Sequence, residues 1–494
     1  MTSHRRTNRT IPNIAGSIAS HPRHSSQYRI SHVVRTVLVS ILLAALTFAG
    51  TAAAAVWVDI NSTIEQRSFT LPVQADDADK DNEPQLVDVN AGKPVNVLLL
   101  GQDTREGDGN AAVGGSDDST ANLHNADTTI VAQIAADRSY INLVSIPRDS
   151  MVDVPSCSTA NGTIPAQYYV QFNSIFANAY SYGGDLASAA GCTVNAVNAL
   201  TGLDIQEVVV VDFQGLSSMI DALGGVDICI PFDTQDTYTG LDLKRGMQHL
   251  DGTQATQYAR MRHGTGTDGS DVMRTTRQQY LIKALLNEAL SKNLFTNSPQ
   301  LYQLARAALE SLNISDGLAD AATLAGLAMS LKNLDSSRLY AQTVPVVADP
   351  YNPTARVVWS DAADAVWEKL RTNQPLTAQS DDGQSADGTA DDSSGTASDT
   401  PSDTSANADS SQQTTQDGTD TDTDTDTEQT QQAAPDPNTG LVTSVDPYTL
   451  QEVLTDPATG GVVDPETGSI TDPLTGQYIG MADQYIMYTF CRVS

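Results

Sequence analysis

Positive charge is what this 494-residue chain has least of: 27 Lys and Arg stand against 60 Asp and Glu, for a formal net charge of −33. With aromatic residues at only 5% of the chain as well, nothing in it resembles a basic groove with stacking platforms, and nucleic acid is excluded as an expected partner. Cysteine is scarce too. The four present, Cys157, Cys192, Cys229 and Cys491, form no C-x-x-C and no Cys/His spacing, which argues against a zinc site or a redox dithiol. Large apolar side chains are nearly missing from 377–435, which holds 14 Asp and Glu and no Lys or Arg. Such a segment cannot offset the entropy of ordering, so 375–435 reads as a disordered acidic linker carrying much of the excess negative charge.

Charge of either sign is absent from Thr36 to Val58, a run of 23 residues. At the helical rise this is roughly 35 Å, enough to cross a hydrocarbon layer of ~30 Å. The 35 residues before it carry six Arg and no acid, and Trp57 stands near the far end, where an interfacial aromatic is favoured. The expectation is a single-pass membrane protein with 1–35 as a cytoplasmic basic segment, 36–58 as a transmembrane helix and the rest extracytoplasmic. A cleaved signal peptide is the competing reading, on the small residues Ala52 to Ala55. All four cysteines then face a compartment where disulfides persist, and their spacing leaves three pairings open.

Residues 59–94 are polar and Asp-rich, with Pro72, Pro84 and Pro94, and read as an extracytoplasmic stalk. From Val95 the texture changes. Apolar β-branched runs at Val95–Leu100, Thr128–Ile134, Tyr140–Ile146, Gln206–Phe213, Val226–Ile230 and Arg338–Val346 predict strands. Helical patterns cover Asn173–Tyr182, Asp185–Leu200, Gln214–Leu223, Gly252–Arg262, Asp271–Leu290, Leu301–Leu312, Asp320–Leu331 and Ser360–Arg371. This alternation predicts an α/β domain over 95–374, a mixed β-sheet sandwiched by helices, with strands buried on both faces. After the acidic linker, D-P-x-T-G recurs at Asp436, Asp456, Asp464 and Asp472, with a degenerate copy at Asp446. Asp-Pro followed by Gly is turn chemistry, so 436–494 reads as successive turns between short extended pieces, an inert spacer or a wall-associating element.

The chemistry gathers where arginine does. Arg260, Arg262, Arg274 and Arg277 fall within 18 residues, and Arg274 and Gln278 share a helix face at i,i+4. Converging guanidinium forks suit adjoining phosphate oxygens; a salt-bridged, solvated helix is the plain alternative. Polar groups also stand at the carboxyl ends of two buried strands, where open α/β sheets bind ligands: GQDTRE supplies Asp103 and Arg105, and SIPRDS supplies Arg148 and Asp149. Asp127 leads into the second strand and faces the same site if that strand is antiparallel. Asp103 and Asp127 beside arginines suit a hard divalent cation that shares oxygens with a pyrophosphate; a turn and a cap are their plain alternatives.

In order, VLLLGQDTRE, NADTTIVAQI, SIPRDSMVDVP, FNSIFANAYSYGG, the long block from LTGLDIQ to ICIP, LDGTQATQYARMRH and DGSDVMRTTRQQ resemble the LytR-CpsA-Psr (LCP) family of cell wall glycopolymer transferases, in its actinobacterial form. The resemblance is strong over 95–292 and continues to about 374 through VPVVADPYNPTARVVW. It implies an LCP-like α-β-α core and a phosphotransferase that moves a glycopolymer from an undecaprenyl-pyrophosphate-linked donor to peptidoglycan. Magnesium, or manganese, would lie at Asp103 and Asp127. The catalytic set would be Asp103, Arg148, Arg260, Arg262 and Arg274, and pyrophosphate would be bound by Arg105, Arg148, Arg260, Arg262, Arg274, Arg277 and Gln278. Asp149, Asp227 and Asp271 also fall in matching motifs. The stretch HGTGTDGSDVM between Arg262 and Arg274 departs from the commoner pattern. A pyrophosphatase and a non-enzymatic envelope protein are the alternatives.

Overall fold

The computed structural model describes residues 53–376 and 435–491 together with Ser40, Thr47, Gly50 and Thr51, but not 73, 75–91, 105–109, 111–123, 266, 268, 292–297, 332–333, 335–337, 447–449, 458, 474–475 or 477. The basic segment 1–35, most of the expected membrane span and nearly all of the acidic linker lie outside the described residues, as does Arg105. Among the described residues no helix is long and apolar enough to cross a membrane.

Seven strands make one mixed sheet: β1 (Ser68–Phe69), β2 (Val95–Asp103), β3 (Asn125–Ile134), β4 (Ile141–Ser145), β5 (Glu207–Asp212), β6 (Leu312–Ser315) and β7 (Leu339–Thr343). Their order across the sheet is β1-β6-β5-β2-β3-β4-β7. β5 runs parallel to β2, β3 is antiparallel to both β2 and β4, and β7 is parallel to β4. The carboxyl ends of β2, β4 and β5 therefore meet the amino end of β3 along one edge.

Helices cover both faces: α1 (Asn173–Gly183), α2 (Leu186–Thr201), α3 (Phe213–Leu223), α4 (Gly252–Arg260), α5 (Asp271–Ser291), α6 (Ser298–Ser311), α7 (Ala321–Ser330) and α8 (Ala362–Arg371). The sequence supplies their starts. Asp185 accepts from the Ser188 amide at 2.6 Å, Asp212 from the Gly215 amide at 2.7 Å, and Asp251 forms a capping box with Gln254. On one face Leu98, Leu100, Val131, Val144, Val208 and Val210 pack against α1, α2 and Trp367 of α8. On the other, Ile130, Ile134 and Leu143 meet Ile282 and Leu286 of α5, and Val97 meets Leu309 and Ile64. The strands are thus buried on both sides, as their unbroken apolar runs require.

Three expectations change. Residues 59–72 are no extended stalk: Ile60 and Ile64, one helical turn apart in the helical stretch 53–67, pack into the core with Ile64 only 1% exposed, and β1 adds to the sheet parallel to β6. Val226–Ile230 is a strand but not of the main sheet; it pairs antiparallel with Gly246–Leu250 in a separate ribbon. The repeats beyond the linker are a folded unit. Five strands, β8 (Val442–Val445), β9 (Glu452–Thr455), β10 (Val462–Val463), β11 (Ser469–Thr471) and β12 (Tyr478–Met481), form an antiparallel meander closed by α9 (Asp483–Phe490). In each D-P-x-T-G turn the Gly amide donates to the Asp carbonyl at 2.7–2.8 Å, with the Gly at φ of 68–71°. That left-handed conformation explains the Gly at this position. The degenerate copy forces Leu450 to φ 59°.

The unit packs on the core. Ile486 and Cys491 enter a cluster with Ile228, Tyr258 and Leu281, and Lys283 of α5 pairs with Asp483 at 2.8 Å. The disulfides are Cys157–Cys192 and Cys229–Cys491, with Cα separations of 5.4 and 5.9 Å. The second ties the repeat unit to the ribbon of the core.

Candidate functional site

The sheet edge shared by β2, β3, β4 and β5 is where the polar residues gather, and a β-bulge sets their direction. Gly101 of β2 pairs with Thr128 and Gln102 with Ala126, leaving Asp127 as the extra residue on β3. The bulge reverses the alternation of β3. Ala126 and Val131, an odd number of positions apart, both enter the core under α1 and α2, whereas Ile130 and Ala132 face α5. Asp127 is thereby turned to the α5 side, which a regular strand would have denied it. Gly101 makes the geometry possible, because a Cβ there would stand 2.8 Å from the Thr128 Cβ.

Around Asp127 an ion cluster forms. Arg148, in the loop after β4, reaches the Asp127 carboxylate at 2.5 Å, and its Nε lies 3.5 Å from Asp271 and 3.6 Å from Asp149. Arg274 of α5 pairs with Asp271 at 2.6 Å, donates to the Asp127 carbonyl at 2.6 Å, and has its side chain only 5% exposed. Asp271 begins α5, where its charge suits the helix N-terminus, and accepts from the Arg148 amide at 2.9 Å. Arg356, just before the strand Val357–Trp359, completes the rim at 3.4 Å from Asp149. Arg262 has no carboxylate partner in the cluster but feels both Arg148 and Arg274; burial first, then those two cations, hold its pKa below the ordinary arginine value.

The electrostatics are poised against the ions already present. Burial alone would lower the Arg148 pKa, but Asp127, Asp271 and Asp149 together hold it above its ordinary value. Burial pushes the Asp271 carboxyl up, with Arg274 and Arg148 pulling against it. The Nε–H groups of Arg262 and Arg274 are buried and make no hydrogen bond, that of Arg148 has Asp271 and Asp149 only at ion-pair range, 3.5 and 3.6 Å, and Asp127 Oδ1 is buried without a donor. Buried donors of this kind call for an acceptor that the chain does not supply. Arg148, Arg262, Arg274 and Arg356 gather here around Asp127, Asp149 and Asp271, and converging guanidinium forks suit an anion.

Not every expected residue faces this cluster. Asp103 ends β2 opposite Asn125, beside the bulge, and so sits at the rim with Asp127. Arg260, in the last turn of α4, lies over the Phe213 ring with 4.2 Å from guanidinium carbon to ring centre, a cation–π contact. Arg277 and Gln278 turn to the end of α4: Arg277 donates to the Met261 carbonyl, and Gln278 to that of Ala259 at 3.1 Å. They brace α4 against α5 where phosphate ligands were expected, because α5 is buried over this stretch and its i+3 and i+4 positions meet backbone. Asp227 is remote and exposed, paired with His249 at 2.7 Å. Among the described residues no group of three or more His, Cys, Asp or Glu converges on a common point. Arg356 was missed, although it lies within the VPVVADPYNPTARVVW block.

Comparison with known proteins gives the family of the chain. The profile of the LytR_cpsA_psr family matches residues 60–374. The chain is similar to a cell wall biosynthesis protein, LcpA, of Corynebacterium glutamicum, at 27% identity over 59% of this chain and 58% of that protein. It is 29% identical to a polyisoprenyl-teichoic acid–peptidoglycan teichoic acid transferase, TagU, of Enterococcus faecalis, over 44% of this chain and 60% of that protein. The chain thus spans less than two thirds of the length of either relative. Among solved structures, a LytR-Csp2A-Psr enzyme from Actinomyces oris aligns with a TM-score of 0.40 at 21% identity, covering 56% of this chain and 89% of that one.

Proposed function

The chain belongs to the LytR_cpsA_psr family, and from that premise we propose that it is a membrane-anchored, extracytoplasmic phosphotransferase. It moves a glycopolymer phosphate from an undecaprenyl-pyrophosphate-linked donor to a peptidoglycan hydroxyl and releases polyprenyl phosphate. The observation that carries this reading is the convergence of Arg148, Arg262 and Arg274 beside Asp127, with the Nε–H groups of Arg262 and Arg274 buried and without a hydrogen bond. A pyrophosphate offers the acceptors those donors lack. The name of the Enterococcus faecalis relative, a polyisoprenyl-teichoic acid–peptidoglycan teichoic acid transferase, supports the same class of donor and acceptor for this chain.

The acceptor hydroxyl attacks the sugar-side phosphorus, the new P–O bond forms as the bridging P–O bond breaks, and polyprenyl phosphate leaves with the bond's electron pair. Arg148, Arg262 and Arg274 neutralise the phosphate oxygens and the charge that grows on the leaving group. Asp271 and Asp149 keep Arg148 and Arg274 in place before substrate arrives. The proton of the hydroxyl passes to a carboxylate at the rim, for which Asp103 is the candidate.

Magnesium fits this donor set, with manganese as the alternative ion. Asp127 Oδ1 is a hard oxygen, buried and without a hydrogen-bond partner, and a small cation that keeps several waters needs only one or two carboxylates from the protein. Asp127 and Asp103 would hold it, and when bound it would polarise the pyrophosphate.

The test combines the purified chain with a lipid-pyrophosphate-linked oligosaccharide, peptidoglycan fragments and magnesium, and follows linked product by mass spectrometry. The expected product is a covalent glycan–phosphate–peptidoglycan adduct that falls by roughly 10²-fold or more in Arg148→Ala, the scale of a lost preorganised charge stabiliser, and disappears with chelator. Free glycan phosphate alone would instead assign a pyrophosphatase, and no turnover of any donor would return the chain to a non-enzymatic envelope role.

A further inference from the structure

A cavity of about 340 Å³ lies between the repeat unit and the core, walled by α5, β7 and the turns and last strand of the meander. Its size falls within the range of about 300–1,000 Å³ usual for small-molecule sites. It is separate from the arginine cluster: its α5 residues are Thr276, Gln279, Tyr280 and Lys283, whereas the cluster uses Asp271 and Arg274.

Two of its lining residues, Gln279 and Asp483, each keep a buried oxygen without a partner. Gln279 is 3% exposed; its Nε2 donates to Ser145 Oγ at 2.8 Å and Thr343 Oγ1 at 3.1 Å, while its Oε1 is buried and has no partner. Asp483 spends Oδ2 on Lys283 at 2.8 Å, and its Oδ1 is buried with no hydrogen bond. Both are acceptors, so a ligand that reached them would have to donate. Phosphate is unsuited, because the cavity's Lys283 is already neutralised and Asp456 adds a second carboxylate to the wall. A purely apolar ligand would leave both acceptors unpaired, at a cost in affinity. Tyr280, Tyr340, Leu339 and Ile479 supply apolar surface between these polar points, as the C–H faces of a pyranose require.

We infer that this cavity is a binding site for a neutral, hydroxyl-rich carbohydrate, and that the repeat unit builds its outer wall. The inference rests on the transferase reading only for the source of the sugar, which is either the wall strand or the transferred polymer.

The test uses the full chain with both disulfides intact and two probes, a soluble N-acetylglucosamine oligomer and a neutral mannose oligomer, observed by saturation-transfer NMR and titration calorimetry. Binding of the first alone identifies the wall strand, and binding of the second, alone or with it, a neutral sugar from outside that strand. Gln279→Met removes the orphan acceptor. Gly480→Leu fills the cavity and is the second variant should the first fail to fold, since a Cβ at Gly480 meets nothing nearer than Ile470 Cδ1 at 3.6 Å. At least a tenfold loss of sugar affinity is expected in each folded variant, with affinity unchanged in Arg148→Ala, the variant that reports on the arginine cluster. Failure of both oligomers to bind the unaltered chain, or binding indifferent to both cavity variants, overturns the site whatever the transferase assay returns.

Discussion

Asp271 holds the arginines of the cluster in place and also competes with any anion for them. Burial raises its pKa above the ordinary 3.8, so on acidification it gains its proton before a solvated aspartate does. Protonation removes a negative charge 2.6 Å from Arg274 and 3.5 Å from Arg148 and leaves both freer to receive phosphate. The affinity for a disubstituted pyrophosphate, which has no proton to gain in this range, should therefore rise as pH falls from neutrality through the window above 3.8. Calorimetric titration at several pH values checks this, and Asp271→Asn should flatten the dependence. Asp127, Arg148 and Arg274 were legible because each stands in a compact motif whose chemistry is local. Arg277 and Gln278 were not separable from them, since helical spacing gives relative faces but not whether a face meets ligand or a neighbouring carbonyl. Arg356 reaches Asp149 across 207 residues, a pairing for which local sequence carries no sign.

Among the elements, β3 is the one whose irregularity matters. The apolar run starts the strand only at Thr128, with Asp127 leading into it, whereas the strand runs Asn125–Ile134, so the bulge at Asp127 was not visible beforehand. Gly101→Ala should force Gly101 and Thr128 apart, cost about 1–3 kcal/mol as overpacking does, and displace Asp127. Thermal unfolding measures the first effect and pyrophosphate binding the second; unchanged values of both would mean the bulge tolerates a side chain. The helices were legible to within a few residues because Asp185, Asp212 and Asp251 announce their starts. The turns of the repeats were legible as turns, but strands of two to four residues with few apolar side chains gave no signal that they pair. One repeat carries a built-in flaw. Leu450 occupies a left-handed conformation at φ 59°, a cost of roughly 1–2 kcal/mol for an L-residue. Leu450→Gly should recover about 1 kcal/mol, less what the freer unfolded chain takes back, read as a higher denaturation midpoint.

For the whole molecule, the Cys229–Cys491 bond joins residues 262 apart in sequence, and a chain-entropy treatment assigns a closure of that length roughly 5 kcal/mol. Replacing both cysteines by serine should lower the stability of the repeat unit first, because the bond is its one covalent tie to the ribbon and Cys491 itself sits in the shared apolar cluster with Ile486. Hydrogen exchange resolved by segment checks this: faster exchange over 435–491 with 95–374 little changed is the expected pattern, and uniform loss would show the two parts melt together. The sequence could not choose this pairing, since distance in space and not in chain order selects it. The same bond changes what a protease can accomplish. Because Cys229 and Cys491 lie on either side of the acidic stretch in the chain, a single cut between residues 377 and 434 severs the backbone yet releases no fragment. The nicked product should migrate as one species until a reductant is added.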